Sequence, residues 1–347
     1  MTSKTAPTDR SAKVVRGPVI IFYSRIDAFG DALIRLPALR AARTAFPDHH
    51  IVYGSQKRSM LQIALSPHVA DLVDEWRTET PLADIVRDAR QHTKSIAVID
   101  LRTLVPAMAQ ARLSLIGSGV AYRANLPGFF LSSDFGRPFA VRPEHNAWRF
   151  HRLVERMAGR LLPFDHRLYP SDEARSLVRR TFADGRPLVL LSGNADPGKA
   201  MTDAQASSVA GPLIDEGFRV VYLLTPGPGP TQEGLLALEP RIEVVGADAA
   251  QDRHARDDHL LALGEIAEAA ITIHSGMVHF LSATMTPMVV INNGFNMLRW
   301  RPLAGAAEII EASDHSRDSR AAEVPPDAIA AALRRLVAAR RRDHPPI

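Results

Sequence analysis

The chain has 347 residues, 46% hydrophobic and 23% charged, an ordinary balance for a globular protein and enough length for two α/β domains. It has no cysteine, which excludes disulfides, thiolate zinc sites and cysteine nucleophiles together and fits a reducing compartment. Forty-two Lys and Arg against 38 Asp and Glu leave a net charge of +4, too small an excess to indicate a nucleic-acid partner. It suits anionic small molecules, an anionic membrane surface, or simply a solvated arginine-rich exterior.

Residues 1–16 are polar and basic, without the apolar centre of a signal peptide, and read as a disordered tail. No apolar run approaches the ~18–20 residues that cross a bilayer, so a cytoplasmic protein is expected. "PVIIFY" (18–23) is a continuous apolar run of the kind covered on both sheet faces. "DALIRLPALRAARTAF" follows at helical spacing, with Pro37 expected to bend its early part. "HIVYG" and "SIAVIDL" predict further buried strands, and "NAWRFHRLVERMAGRL" predicts an amphipathic helix ending near residue 161.

The alternation pauses over 162–186, with a short helical stretch ending at Gly185, and then restarts. "PLVLLSG", helix 203–216, "FRVVYLLT", a short helix from about 231, "IEVVG", helix 258–269, "AITIHSG", helix 277–285 and "PMVVINN" follow in turn. Strands interleaved with helices of this size predict parallel sheets. The expected architecture is α/β: two Rossmann-like domains facing a central cleft, at 17–165 and 187–326. A linker region (166–186) joins them, and a C-terminal helix and tail close the chain (327–347). The last helix, 327–342, carries Ile329, Leu333, Leu336 and Val337 on one face, suited to packing; lying on a membrane surface is the alternative.

Ligands of doubly wound sheets sit beyond the carboxyl ends of the strands, so candidate residues should follow strands. After 18–23 comes "SRIDAFGDALIRLP", in which Gly30 allows close backbone approach. Asp31 would stand in the first helical turn, as a general base or merely as an acid favoured by the helix dipole. After the first strand of the second half comes "LLSGNADPGKAMT". Gly193, Asn194 and Gly198 make a flexible loop leading to a helix capped by Thr202, and Lys199 faces either a diphosphate or solvent. After 270–273 comes His274-Ser275-Gly276, leading into a helix that bears His279, a residue equally suited to a buried, hydrogen-bonded role. His274 and His279 are five apart with the first outside the helix, which argues against a zinc pair. "TPGPGP" is a turn that borders a ligand at most. The dinucleotide fingerprint, the P-loop spacing and the G-x-S-x-G elbow are absent.

Taken in order, these segments resemble the glycosyltransferase family 9 proteins, the ADP-heptose:lipopolysaccharide heptosyltransferase group. The opening motif R-L-D-x-x-G-D is matched by Arg25-Ile26-Asp27-Ala28-Phe29-Gly30-Asp31, followed by Leu36-Pro37-Ala38-Leu39. "SIAVIDLRTLVPA", "HNAWRFHRLVERMAG", "GNADPGKAMT" and "HSGMVHFLSA" are similar to later family segments, over roughly 18–305. The resemblance implies a GT-B fold, with the nucleotide-sugar donor bound mainly by the second domain and the acceptor mainly by the first. It implies Asp31 as catalytic base, with Arg25, Asp27 and Gly30 on the acceptor side. Gly193, Asn194, Lys199, His274, Ser275, Gly276 and His279 would then lie on the donor side. It further implies inverting transfer of a sugar, heptose among the candidates, to lipopolysaccharide or a related glycan whose carrier is lipid-linked or polysaccharide, with a peripheral contact at the inner membrane. No cofactor is firmly implied, and a divalent ion is left open. A non-catalytic nucleotide-sugar-binding paralogue and a GT-B epimerase are the alternatives. Two positions depart from the family pattern: His274 stands where aspartate is usual, and Lys199-Ala200-Met201-Thr202 lacks the usual Trp-Pro.

Overall fold

The apolar runs of the sequence form the centres of two open, all-parallel sheets. A computed structural model describes residues 17–103, 105–124, 145–196, 198–246 and 252–343; the expected tail 1–16 lies outside the described residues. The first sheet contains β1 (Val19–Ser24), β2 (His50–Ser55), β3 (Glu75–Thr78), β4 (Ile96–Asp100) and β5 (Ala121–Ala124), in the order β3-β2-β1-β4-β5. The second contains β6 (Leu188–Ser192), β7 (Arg219–Leu223), β8 (Glu243–Val245), β9 (Ala269–Ile273), β10 (Met288–Asn292) and β11 (Ala307–Glu311), in the order β11-β10-β9-β6-β7-β8. Each sheet reverses its winding once, between β1 and β4 and between β6 and β9. At such a switch point the neighbouring crossovers lie on opposite faces and leave a crevice beyond the strand ends.

Alternation along the central strands divides the core. Val19, Ile21 and Tyr23 face a cluster with Ile85, Val98 and Met108 on the outer side of the first sheet. Ile20 and Phe22 belong to a second cluster that also holds Leu188, Leu190, Phe280 and Leu281, so one apolar core runs through both halves of the molecule. The other face of β6, Val189 and Leu191, joins a third cluster with Leu333 and Leu336 of the C-terminal helix Pro326–Asp343. The apolar face of that helix is therefore occupied by the second sheet.

The structure departs from the sequence expectations at several elements. The segment around Pro37 is two helices, Phe29–Leu33 and Leu36–Ala45, broken at Ile34-Arg35. Pro37 lies in the first turn of the second, where its missing N–H costs nothing. The helix expected at 258–269 runs Arg253–Ile266, because Asp252 caps it by accepting from the His254 N–H. Strands β3, β5 and β11 were not singled out from the sequence. They are edge strands, short and only partly buried, in which charges replace apolar runs: in β3, Arg77 pairs with Glu75 and Asp88. In the 166–186 region the helix Asp172–Thr181 is tied to Arg253–Ile266 by a two-pronged Arg175–Glu265 pair at 2.8 and 2.9 Å.

Leu333 is fully buried beneath the second sheet. Leu333→Ala is expected to lower stability by about 2–5 kcal/mol, read as a lower midpoint in urea unfolding followed by circular dichroism.

Candidate active site

The first wall of the site begins where β1 ends. Asp27 is buried, and its carboxylate accepts from the hydroxyls of Tyr53 at 2.9 Å and Ser59 at 2.6 Å and pairs with the Arg35 guanidinium. Arg35 also donates to the Ile26 carbonyl, so charge and hydrogen bonds fix the turn from both ends. Arg25 is exposed, and neither it nor Asp27 lines the cleft. Asp27 thus sits beneath the turn, holding it, while Gly30 and Asp31 reach the cleft surface.

At Gly30 the two halves approach closely. A Cβ placed on it would lie 2.9 Å from His279 Cδ2 and 3.3 Å from Gly276 Cα. Beside it Phe29 and Phe280 pack with ring centroids 5.4 Å apart. Asp31, one residue on, is partly buried in the first turn of helix Phe29–Leu33. Burial pushes its carboxyl up to about 6, against a backbone hydrogen bond at Ala28 that pulls it down.

The second wall is built on the exit of β6. The Tyr222 hydroxyl accepts from Gly193 N–H and donates to Asn194 Oδ1, both at 3.0 Å, while Asn194 Nδ2 donates to the Pro230 carbonyl. Ala195 N–H donates to the Pro228 carbonyl. These bonds lock the 193–200 loop onto the Thr225–Pro230 turn. The packing is tight enough that a Cβ on Gly229, at φ +128°, would fall 3.1 Å from both Asn194 Cα and the Gly193 oxygen. Gly193 and the amide of Asn194 are therefore committed to scaffold, and Thr202 caps the next helix by accepting from Gln205 N–H. Lys199 stands at the cleft with its Nζ 3.4 Å from Asp196 Oδ2 and 5.0 Å from the Phe295 ring centroid.

The exit of β9 completes this wall. The His274 Nε2 is 3.1 Å from the Trp300 carbonyl, which can only accept, so Nε2 carries the proton. Its ring stacks on Phe295, with centroids 4.2 Å apart and planes at 25°. Ser275 caps helix Gly276–Ser282 by accepting from Met277 N–H. His279 is buried under Gly30, and burial first, then the neighbouring His145 and His274, push it down to about 3. Burial likewise holds His145 down to about 4 and lowers His274. This part of the site is thus a set of neutral imidazoles.

Together these walls enclose a cleft of about 570 Å³. Asp31 faces it from the first half; Asn194, Lys199, His274, Ser275, Gly276 and His279 line it from the second. The structure adds Thr225–Pro228, Arg253, Arg256, Phe295 and Trp300 to the lining. "TPGPGP" and "INNGF", each just past a strand, were the available signals for the turn and for Phe295. The two arginines had none in a chain with so many.

Two facing parallel sheets, with a cleft fed by the carboxyl ends of their central strands, make this a GT-B fold. The chain is similar to a glycosyltransferase family 9 structure from Veillonella parvula, at 15% identity and TM-score 0.63, covering 94% of this chain and 99% of that one. It is similar to E. coli ADP-heptose lipopolysaccharide heptosyltransferase II at 17% identity and TM-score 0.60, covering 92% and 99%. An E. coli heptosyltransferase solved with ADP gives 16% identity and TM-score 0.57, covering 91% and 99%. At these identities the likeness is one of fold. No family model and no curated protein sequence matches the chain.

Because Asp27 supports the turn from below, Asp27→Ala strands the buried Arg35 charge. A loss of about 3–5 kcal/mol is expected, read as a lower urea midpoint. An unchanged midpoint would count against the supporting role.

Proposed function

We propose that the protein is an inverting glycosyltransferase, using a nucleotide-sugar donor and an acceptor hydroxyl. The observation that carries this reading is the pairing across the cleft of a carboxyl whose affinity for protons is near neutral, Asp31, with a basic, hydrogen-bonding wall at Lys199 and His274–Gly276. In the reaction the acceptor oxygen would attack the anomeric carbon on the face opposite the departing diphosphate. The acceptor proton passes to an Asp31 carboxylate oxygen, the glycosidic C–O bond forms, and the pair of the broken C–O bond leaves on the nucleoside diphosphate. Lys199 offsets the charge that grows there. A neutral His274 in place of the aspartate usual in the resembled family removes one negative charge from that wall and so favours an anionic leaving group.

The fold shared with heptosyltransferases supports heptose as the transferred sugar and lipopolysaccharide or a related surface glycan as acceptor. The same reading places the protein at the cytosolic face of the inner membrane, where a lipid-linked acceptor would be met. Among the described residues no helix is long and apolar enough to cross a membrane, so such a contact would be peripheral.

A panel of ADP-, GDP-, UDP- and dTDP-sugars, assayed for binding and for nucleoside diphosphate release with acceptor, tests the reading. Binding without turnover would instead leave a binding protein. Asp31→Asn is expected to lower kcat by roughly 10²–10⁴-fold while donor affinity stays the same. Full turnover in that variant would remove Asp31 as the base.

The pH dependence has a defined sign. The carboxylate is the active form, so wild-type kcat should rise with pH through about 6 and then level. Folding, conversely, favours the protonated acid, since the folded value lies above the unfolded 3.8. The stability it contributes is present below about pH 4 and is lost as pH rises through about 6. Asp31→Asn should therefore raise the melting temperature at pH 7.5 and leave it unchanged at pH 4. The reverse order would mean that the carboxyl is not desolvated.

A further inference from the structure

Lys199 is one of only five lysines among the 42 basic residues of the chain. Its ammonium is a compact charge on a flexible four-carbon stem, less preorganised than an arginine fork. Something has to aim it. The neighbouring carboxylate is a poor candidate: Asp196 is 81% exposed, and an exposed pair at 3.4 Å fixes little.

The Phe295 ring is better placed. Its backbone N–H donates to Asn292 Oδ1 at 3.0 Å, and its carbonyl accepts from Asn292 Nδ2 at 2.9 Å. Asn292 in turn donates to Glu311 Oε2, which ties the turn to the edge of the second sheet. The ring itself is fixed by stacking on His274, whose own orientation is set by the bond to the Trp300 carbonyl. The Lys199 Nζ lies 5.0 Å from the centre of this anchored ring.

An aromatic face attracts an ammonium through its quadrupole and leaves the full positive charge in place. A carboxylate partner would neutralise the lysine and would have to be displaced by an anionic ligand. The contact also requires a neutral partner on the ring. The charged or titratable groups acting on His274 are Lys199, Glu311 and the neutral His279, and burial suppresses its protonation. A protonated imidazole would compete for the same ring and repel Lys199. An imidazole and a phenyl ring stand beside the lysine here.

We propose that Phe295 is a positioning residue, stacked on His274, that holds the Lys199 ammonium by a cation–π contact toward the diphosphate of a bound nucleotide. This rests on the donor reading of the cleft, and two readouts separate the two ideas. The first needs no ligand. In the intact protein the side-chain CH₂ resonances next to the Lys199 nitrogen should be shifted upfield by the ring, with assignment through Lys199→Arg. Phe295→Leu should return them to the position of a solvated lysine, and Phe295→Tyr should keep them shifted. Unmoved resonances in Phe295→Leu overturn the contact.

The second readout is calorimetric binding of ADP, GDP and UDP as probes. Phe295→Leu is expected to weaken the best of them about 3–10-fold, and Phe295→Tyr to bind within about twofold of wild type. In a Lys199→Met background the Phe295→Leu loss should vanish. A loss that persists there means the ring acts by itself, which overturns the positioning role while the donor reading stands. If wild type binds none of the three, the donor reading fails and takes the proposed aim with it, even where the resonances report the contact.

Discussion

Two helix starts, one from each half of the molecule, meet with no side chain between them. Gly30 lies against Gly276 and the edge of His279; a Cβ on Gly30 would meet the buried His279 ring at 2.9 Å, and one on Gly276 would press on Phe29 at 3.3 Å. This contact sets the width of everything beside it. It brings the switch point of the first sheet opposite that of the second, so the turns after β1, β6 and β9 face one another. Only in that arrangement can a carboxylate from one turn and a lysine from another address the same small molecule. The shared apolar core behind the contact, from Phe22 through Phe280 to Leu190, keeps the two starts in register.

A site of this kind needs rigid supports that do not themselves compete for ligand, and the structure separates the two roles. Asp27 and Arg35 neutralise each other under the first turn. The Asn194 amide and the Tyr222 hydroxyl exhaust their bonding on neighbouring loops. His279 and His145, held neutral by burial, fill the seam without adding charge. What remains open to the cleft is one carboxyl raised by burial, Asp31, a lysine and two arginines beside the carboxylates of Asp196 and Asp257, and an aromatic surface.

The sequence made the frame legible because burial writes itself as composition. Strands β1, β6, β9 and β10 are covered on both faces and read as unbroken apolar runs, and the turns after them carried Gly30, Asp31, Lys199 and His274 in plain view. Edge strands such as β3, with the sequence "EWRT", have no such run, because solvent and ion pairs satisfy them. The division of labour inside a motif was also hidden. Asp27 and Asp31 are both acids in one short segment, and only the fold shows that the first turns inward to Arg35 while the second faces the cleft. Phe295 and Trp300 enter the site from beyond β10, and single aromatics in a turn have no periodicity to betray them.

The histidine at position 274 has its meaning in the neighbours. Here the imidazole is buried and deprotonated, its Nε2 proton is spent on the Trp300 carbonyl, and its flat face supports Phe295, which in turn meets the Lys199 ammonium. The wall sets an aromatic stack beside the exposed Lys199–Asp196 pair. It therefore presents the Lys199 cation against an aromatic ring on one side, with the exposed Asp196 carboxylate 3.4 Å away. The same burial that raises Asp31 lowers His274, so one physical cause, desolvation of the charged form, acts in opposite directions on the acid and the base across the cleft.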